Sequence, residues 1–148
     1  MEAQHINQEL NRFNYLIAET NAAYHEASLR LGLSDSAMQI LYTVCNYGEE
    51  CLLSDIIRLS GISKQTANSA LRKLEQDGIV YLEAVNGKMK KVCLTSKGKV
   101  LAEKTALRLI ALENEIYTSW TQEELALYVD LTQRYLAAFK GKVKELPL

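Results

Sequence analysis

Residues 61–80 read GISKQTANSALRKLEQDGIV, and the rest of the chain is arranged around them. Ser63 stands where a helix N-cap is wanted, because its hydroxyl oxygen can accept an orphan backbone N–H while Ile62 before it can staple onto Ala67. Inside the helix Ala67, Ala70, Leu71 and Leu74 recur at helical spacing as an apolar stripe. Gln65, Asn68, Ser69, Arg72 and Gln76 share a second face that carries no acid. Asp77 and Gly78 end the helix, Gly78 being free to take the left-handed conformation that closes it. Upstream, residues 54–60 (SDIIRLS) read as a short helix joined to this one by a turn at Gly61. Two short helices across a tight glycine turn outline a helix-turn-helix, whose second helix enters the DNA major groove. A plain αα-hairpin in a bundle has the same outline, so the segment C-terminal to the pair decides between them.

That segment is a β-hairpin. Ile79 to Val85 is β-prone, Asn86-Gly87 is a strong two-residue turn signal, and Lys88 to Leu94 returns as a second strand. A hairpin directly after a recognition helix is a wing, and this one carries Lys88, Lys90 and Lys91 where phosphates would lie. A solvated edge strand guarded against aggregation would also carry lysines. Thr95 then caps a further helix beginning Ser96-Lys97-Gly98-Lys99.

Outward from this centre the pattern is helical. Residues 2–31 form one long helix on the stripe Ile6, Leu10, Phe13, Ile17, Tyr24, Ala27 and Leu31, with Thr20 in the gap and Gly32 as the stop. Ser34 caps a second helix from Asp35 to about Tyr47, with Met38, Leu41, Tyr42 and Cys45 inward and Gly48 closing it. Residues 49–52 lead in as an extended piece that can pair with the hairpin as a third strand. After the wing, one helix is expected from Ser96 to about Thr118, packing through Val100, Leu101, Ala106, Leu109, Ile110 and Ile116. Trp120 falls in the joint, and Thr121 with Glu124 forms a capping box that starts a last helix running to about Phe139. The tail from Lys140 to Leu148 reads as frayed. The fold class is therefore mainly α with a small β-hairpin wing: a winged helix-turn-helix domain over 33–99, and a helical dimerisation region over 1–32 and 100–148. Helices this long in a 148-residue chain would leave apolar face uncovered in a monomer.

Composition agrees with a mostly helical globular protein: 48% hydrophobic residues, one Pro and few Gly. No apolar run approaches the ~20 residues that span a membrane, and the start MEAQHINQEL lacks the basic and apolar regions of a signal peptide. A cytoplasmic protein is expected. The net charge of −1 conceals an asymmetry, since residues 56–99 carry +6 and the remainder −7. Cys45, Cys51 and Cys93 have neither CxxC spacing nor an even count, which fits buried free thiols better than a disulfide framework or zinc site. A redox switch would need a low-pKa, accessible thiol. His5 and His25 stand without an acid–base or metal-ligand constellation, and no Ser-His-Asp set or glycine-rich phosphate loop is present. No catalytic residue, metal or cofactor is expected.

The order of long helix, helix, short helix pair, wing and two long helices, with SKQTANSALRKLEQDGIV followed by NGKMKKVCLTSKG, resembles the MarR family of winged-helix transcriptional regulators. The resemblance covers essentially the whole chain. It implies a homodimer that reads an inverted-repeat operator in double-stranded DNA, generally as a repressor. Gln65, Asn68, Ser69 and Arg72 are then the base-edge readers, since amides suit adenine and Arg suits guanine. Ser63, Lys64, Thr66 and Lys73 hold phosphates, and Lys88, Lys90 and Lys91 add salt-sensitive affinity from the wing. Family members commonly carry Asp-x-Arg at the wing tip; here the positions read Asn86-Gly87-Lys88, and Lys lacks the planar fork of Arg. Redox-sensing relatives place their cysteine in the first helix, where this chain has none. Effectors in the family are often small aromatic anions bound between the dimer helices and the reader, which by position points to Tyr24, His25, Met38 and Tyr42. The same four residues could simply pack. The rival class is a winged-helix module that binds protein; it would expose an apolar or aromatic patch along 65–76, and none is present.

Overall fold

The computed structural model describes residues 7–148. The chain divides into two compact units, Met1–Ile110 and Ala111–Leu148. The first unit opens with α1, Gln8–Arg30, capped by Asn7, whose side-chain oxygen accepts the N–H groups of Glu9 and Leu10 at 2.9 and 3.2 Å. An expected start at Glu2 falls among residues 2–6, outside the described residues, as do Ile6 and His5. Ser34 caps α2, Asp35–Asn46, through the Ala37 N–H at 3.2 Å. Next in the chain come β1 (Glu50–Leu52), α3 (Leu53–Ser60), α4 (Lys64–Gln76), β2 (Val80–Asn86), β3 (Met89–Leu94) and α5 (Ser96–Lys104).

The three strands form one antiparallel sheet in the order β1-β3-β2, so the extended piece before the helix pair does become a third strand. Its inner face meets the helices. Ile40, Leu41 and Val44 of α2, Ile56 of α3, Leu71 and Leu74 of α4, and Ile79, Val80, Val92 and Leu94 of the hairpin share one buried cluster with Ala102, Ala106 and Leu109. Ile40, Leu41, Val44, Ile56 and Val92 are each 0% exposed. Burying an aliphatic side chain of this size stabilises by about 1.5–3 kcal/mol, so α4 is fixed by its apolar stripe while its polar face stays free.

Three boundaries differ from the sequence reading. The expected helix 96–118 is two helices, α5 and α6 (Ala106–Thr118), broken at buried Thr105 with φ −128° and ψ −89°. The Thr105 hydroxyl donates to the Leu101 carbonyl at 2.8 Å, and its N–H turns to Ala102 at 3.2 Å. A side chain that takes its own i−4 carbonyl competes with the helical ladder and bends it. Val100 and Ile116, expected to pack, are exposed, and Ala102 and Thr105 take buried positions.

The hairpin turn lies one residue later than Asn86-Gly87: Asn86 pairs with Met89, and Gly87-Lys88 are the two central residues. Gly87 has φ +53°, the only positive φ the turn needs, as in the II′ loops that place Gly first. A register irregularity between Ala84 and Asn86 leaves Val85 outside the pairing. In the second unit α7 runs Gln122–Val143, four residues past the expected Phe139, with Lys140 and Lys142 in its last turn complementing the helix dipole. Thr121 and Glu124 close the capping box at 2.9 and 3.0 Å. Trp120 packs edge-to-face with Tyr117 and Tyr128 at centroid distances of 5.2 and 5.5 Å.

Candidate nucleic-acid interface

Helix α4 starts cleanly because Ser63 sits in extended backbone, accepts the Thr66 N–H at 3.1 Å and donates its own proton to the Thr66 hydroxyl at 2.8 Å. Ser63 has thereby used its hydroxyl proton locally, so the hydroxyl left to donate to a phosphate is that of Thr66. Ala67, Leu71 and Leu74 are buried, which turns Lys64, Gln65, Ser69, Arg72 and Lys73 outward and leaves Asn68 beside them. Gly78 closes the helix at φ +73°. The face is thus amide, hydroxyl and guanidinium chemistry, the donor and acceptor set that can address base edges in a major groove.

A clamp that sequence reading did not find ties the C-terminal end of α4 to the start of α5. The Thr95 hydroxyl lies against the carbonyls of Gly78 and Ile79 at 2.5 and 3.1 Å and accepts the Gly98 N–H at 2.9 Å. Lys97 donates to the Asp77 carbonyl at 2.8 Å. A Cβ on Gly98 would collide with the Ile79 carbonyl oxygen, so only glycine permits this approach. Thr95 was legible as a cap; its second partner, sixteen residues back, was not.

The lysines of the basic segment divide into two groups. Lys91 is paired with Glu50 at 3.1 Å and Glu83 at 3.8 Å, and Lys99 with Glu49 at 2.9 Å. Arg58 pairs with Asp55 at 3.0 Å. The bond to Glu50 pushes the Lys91 ammonium above the usual lysine range, as the bond to Glu49 does for Lys99. Among the described residues Lys64, Arg72, Lys73, Lys88 and Lys90 have no carboxylate partner. These five cations flank and cross the α4 face and the hairpin tip.

The expected effector residues differ in burial. Met38 is buried in the core, Tyr42 is partly buried against it, and Tyr24 is exposed on α1. His25 Nδ1 lies 2.7 Å from the Asp35 carboxylate, joining α1 to the first residue of α2. The three thiols are all held above the ordinary range, in each case first by burial. Raised thiol pKa values disfavour the reactive thiolate. No group of His, Cys, Asp and Glu among the described residues could hold a metal ion.

Compared with known proteins, residues 31–88 match the sequence profile of the MarR family. This segment is similar to the MarR family. It runs from the C-cap of α1 through α2, β1, the helix pair and the hairpin as far as Lys88, which is most of the interface. Solved MarR-type structures share the fold over nearly the whole chain. A MarR-family transcriptional regulator from Silicibacter pomeroyi superposes with a TM-score of 0.68 at 20% identity, covering 88% of this chain and 89% of that one. The MepR–DNA complex of S. aureus gives 0.65 at 16%, covering 91% and 99%. BpsR of Bordetella bronchiseptica, a protein whose DNA binding is regulated by 6-hydroxynicotinic acid, gives 0.62 at 15%, covering 84% and 98%. No curated protein matched by sequence.

Proposed function

We propose that this MarR-family winged-helix protein is a cytoplasmic, homodimeric transcriptional regulator that represses by binding an inverted-repeat operator. The single observation that carries the reading is the α4 face: Gln65, Asn68, Ser69 and Arg72 set opposite a buried stripe, with cations free of carboxylate partners, among the described residues, along the helix and on the wing tip. Gln65, Asn68, Ser69 and Arg72 read base edges, Lys64, Thr66 and Lys73 hold phosphates, and Lys88 and Lys90 reach the backbone beside the groove. Membrane attachment forms no part of this reading: no described helix is long and apolar enough to cross a bilayer.

The dimer rests on apolar side chains that the core does not use. Leu10, Phe13, Leu16, Ile17 and Tyr24 on α1, and Val129, Leu131, Tyr135, Leu136, Phe139 and Val143 on α7, are large apolar side chains left exposed. The residues 1–32 and 100–148 would cover one another across a two-fold axis, presenting two α4 helices to half-sites about 34–36 Å apart. A small aromatic acid that binds beside Tyr24, His25 and Tyr42 and changes that spacing would release the operator. Support for this class of effector comes from similar structures, one of them of NadR in complex with 4-hydroxyphenylacetate.

The deciding experiment is selection of tight binders from a random duplex library, followed by affinity as a function of salt. Enrichment of an inverted repeat with half-sites one helical turn apart is expected. Recovery of no enriched sequence, with weak binding abolished at moderate salt, would remove the operator reading.

A further inference from the structure

The outer face of the wing holds a group of side chains that the DNA-binding reading does not use. Strand β3 lies between β1 and β2, with Lys91 opposite Leu52 on one side and Glu83 on the other. Its ammonium bridges the two edge strands, 3.1 Å from a Glu50 oxygen and 3.8 Å from a Glu83 oxygen. The Cys93 thiol lies beneath, 3.8 and 3.9 Å from the same two oxygens, and is 3% exposed. Val92, between Lys91 and Cys93, points the other way into the core. By the alternation of a strand, Lys90 shares the face of Val92 while Lys91 shares the face of the acids. Only 26% of the Lys91 side chain is exposed, whereas Lys88 and Lys90 stand open at the tip.

We infer that Lys91 is a staple joining all three strands of the wing and makes no phosphate contact, so that the wing offers DNA the charges of Lys88 and Lys90 alone. Two carboxylates face one ammonium, so the trio carries a net negative charge that a phosphate would not approach. Moving Lys91 to a DNA backbone would break both ion pairs and leave Glu50 and Glu83 uncompensated beside that backbone. The bulge at Val85 makes the arrangement possible. With Asn86 opposite Met89, an unbroken ladder would set Glu83 against Val92; the extra residue shifts it to Lys91.

The inference rests on the DNA-binding reading for its consequence and on strand geometry for itself, and the test separates the two. Lys88→Met, Lys90→Met, Lys91→Met and Lys91→Arg are compared for the dependence of log affinity on log salt with the selected duplex. Amide hydrogen exchange is measured in the same proteins without DNA. Each phosphate contact contributes about 0.9 to that slope. Lys88→Met and Lys90→Met are expected to lower it by about that amount each, while Lys91→Met leaves it unchanged. Lys91→Met also speeds exchange of the β1 amides, and Lys91→Arg restores them. A fall in slope for Lys91→Met comparable to that for Lys88→Met overturns the staple. If the wild-type protein binds no duplex, the DNA reading fails on its own, and unaltered β1 exchange in Lys91→Met then overturns the staple independently.

Discussion

Helix α4 has 13 residues and buries Ala67, Leu71 and Leu74; α7 has 22 residues, a denser set of large apolar side chains, and buries none. The difference is one of partners. Around α4, a second helix and a sheet converge within the same unit, and its stripe is consumed in a core with several side chains at 0% exposure. In α7 the apolar residues Leu127, Val129, Leu131, Tyr135, Leu136 and Phe139 occupy more than one face, which is the pattern of a helix with neighbours on several sides. The first unit therefore completes the core around α4 by itself, while α7 buries none of its own side chains. Soluble monomers seldom leave contiguous apolar surface of this kind uncovered.

Mutations on the two sides of this contrast should have separable effects. Ile56→Ala should act on the finished core, costing about 2–5 kcal/mol in chemical denaturation, because it removes a fully buried side chain and leaves a cavity. A cost below about 1 kcal/mol would mean that the core is looser than its burial shows. Leu136→Ala should instead act between subunits: its loss of burial in a dimer is worth about 1.5–3 kcal/mol per subunit. Sedimentation at falling concentration should show earlier dissociation with the reader still folded. If Leu136→Ala behaves as wild type and the protein is monomeric throughout, the dimer proposal fails.

A third test addresses the polar face of α4. Arg72→Ala should cost about 1–3 kcal/mol on the selected duplex and relax preference at one base position, with no change in thermal stability. Equal loss on every sequence would reassign Arg72 to phosphate. The smallest effect belongs to the capping box. Thr121→Ala removes one acceptor for the start of α7 and should destabilise by about 1 kcal/mol. Combined with Leu136→Ala it tests whether α7 is held mainly by its own cap or by a partner.

Much of the fold was legible in the residues. The caps at Ser34, Ser63, Thr95 and Thr121, the glycine that closes α4, the helix pair, the third strand and the wing all depend on groups within a few positions of one another or on strongly patterned segments. The burial of Ala67, Leu71 and Leu74 came directly from the 3.6-residue period. The break at Thr105 was missed because the stripe Ala102, Ala106, Leu109 continues across it, and a threonine inside a helix does not announce which carbonyl its hydroxyl will take.

Local chemistry was written in the order of residues: which of them start and stop each helix, which face of α4 is buried, and that the basic charge gathers between residues 56 and 99. Which of those charges remain available was settled only in three dimensions. Lys91 lies opposite Glu83 because of a one-residue shift at Val85, and is joined to Glu50 because β1 pairs with β3 across some forty residues. Lys97 is turned to the Asp77 carbonyl, twenty residues back, and Gly98 is required by a backbone that sequence reading could not bring near it. Interactions within one turn of helix are set by spacing. Those between strands are set by register, and a slip of one residue exchanges every partner on a face.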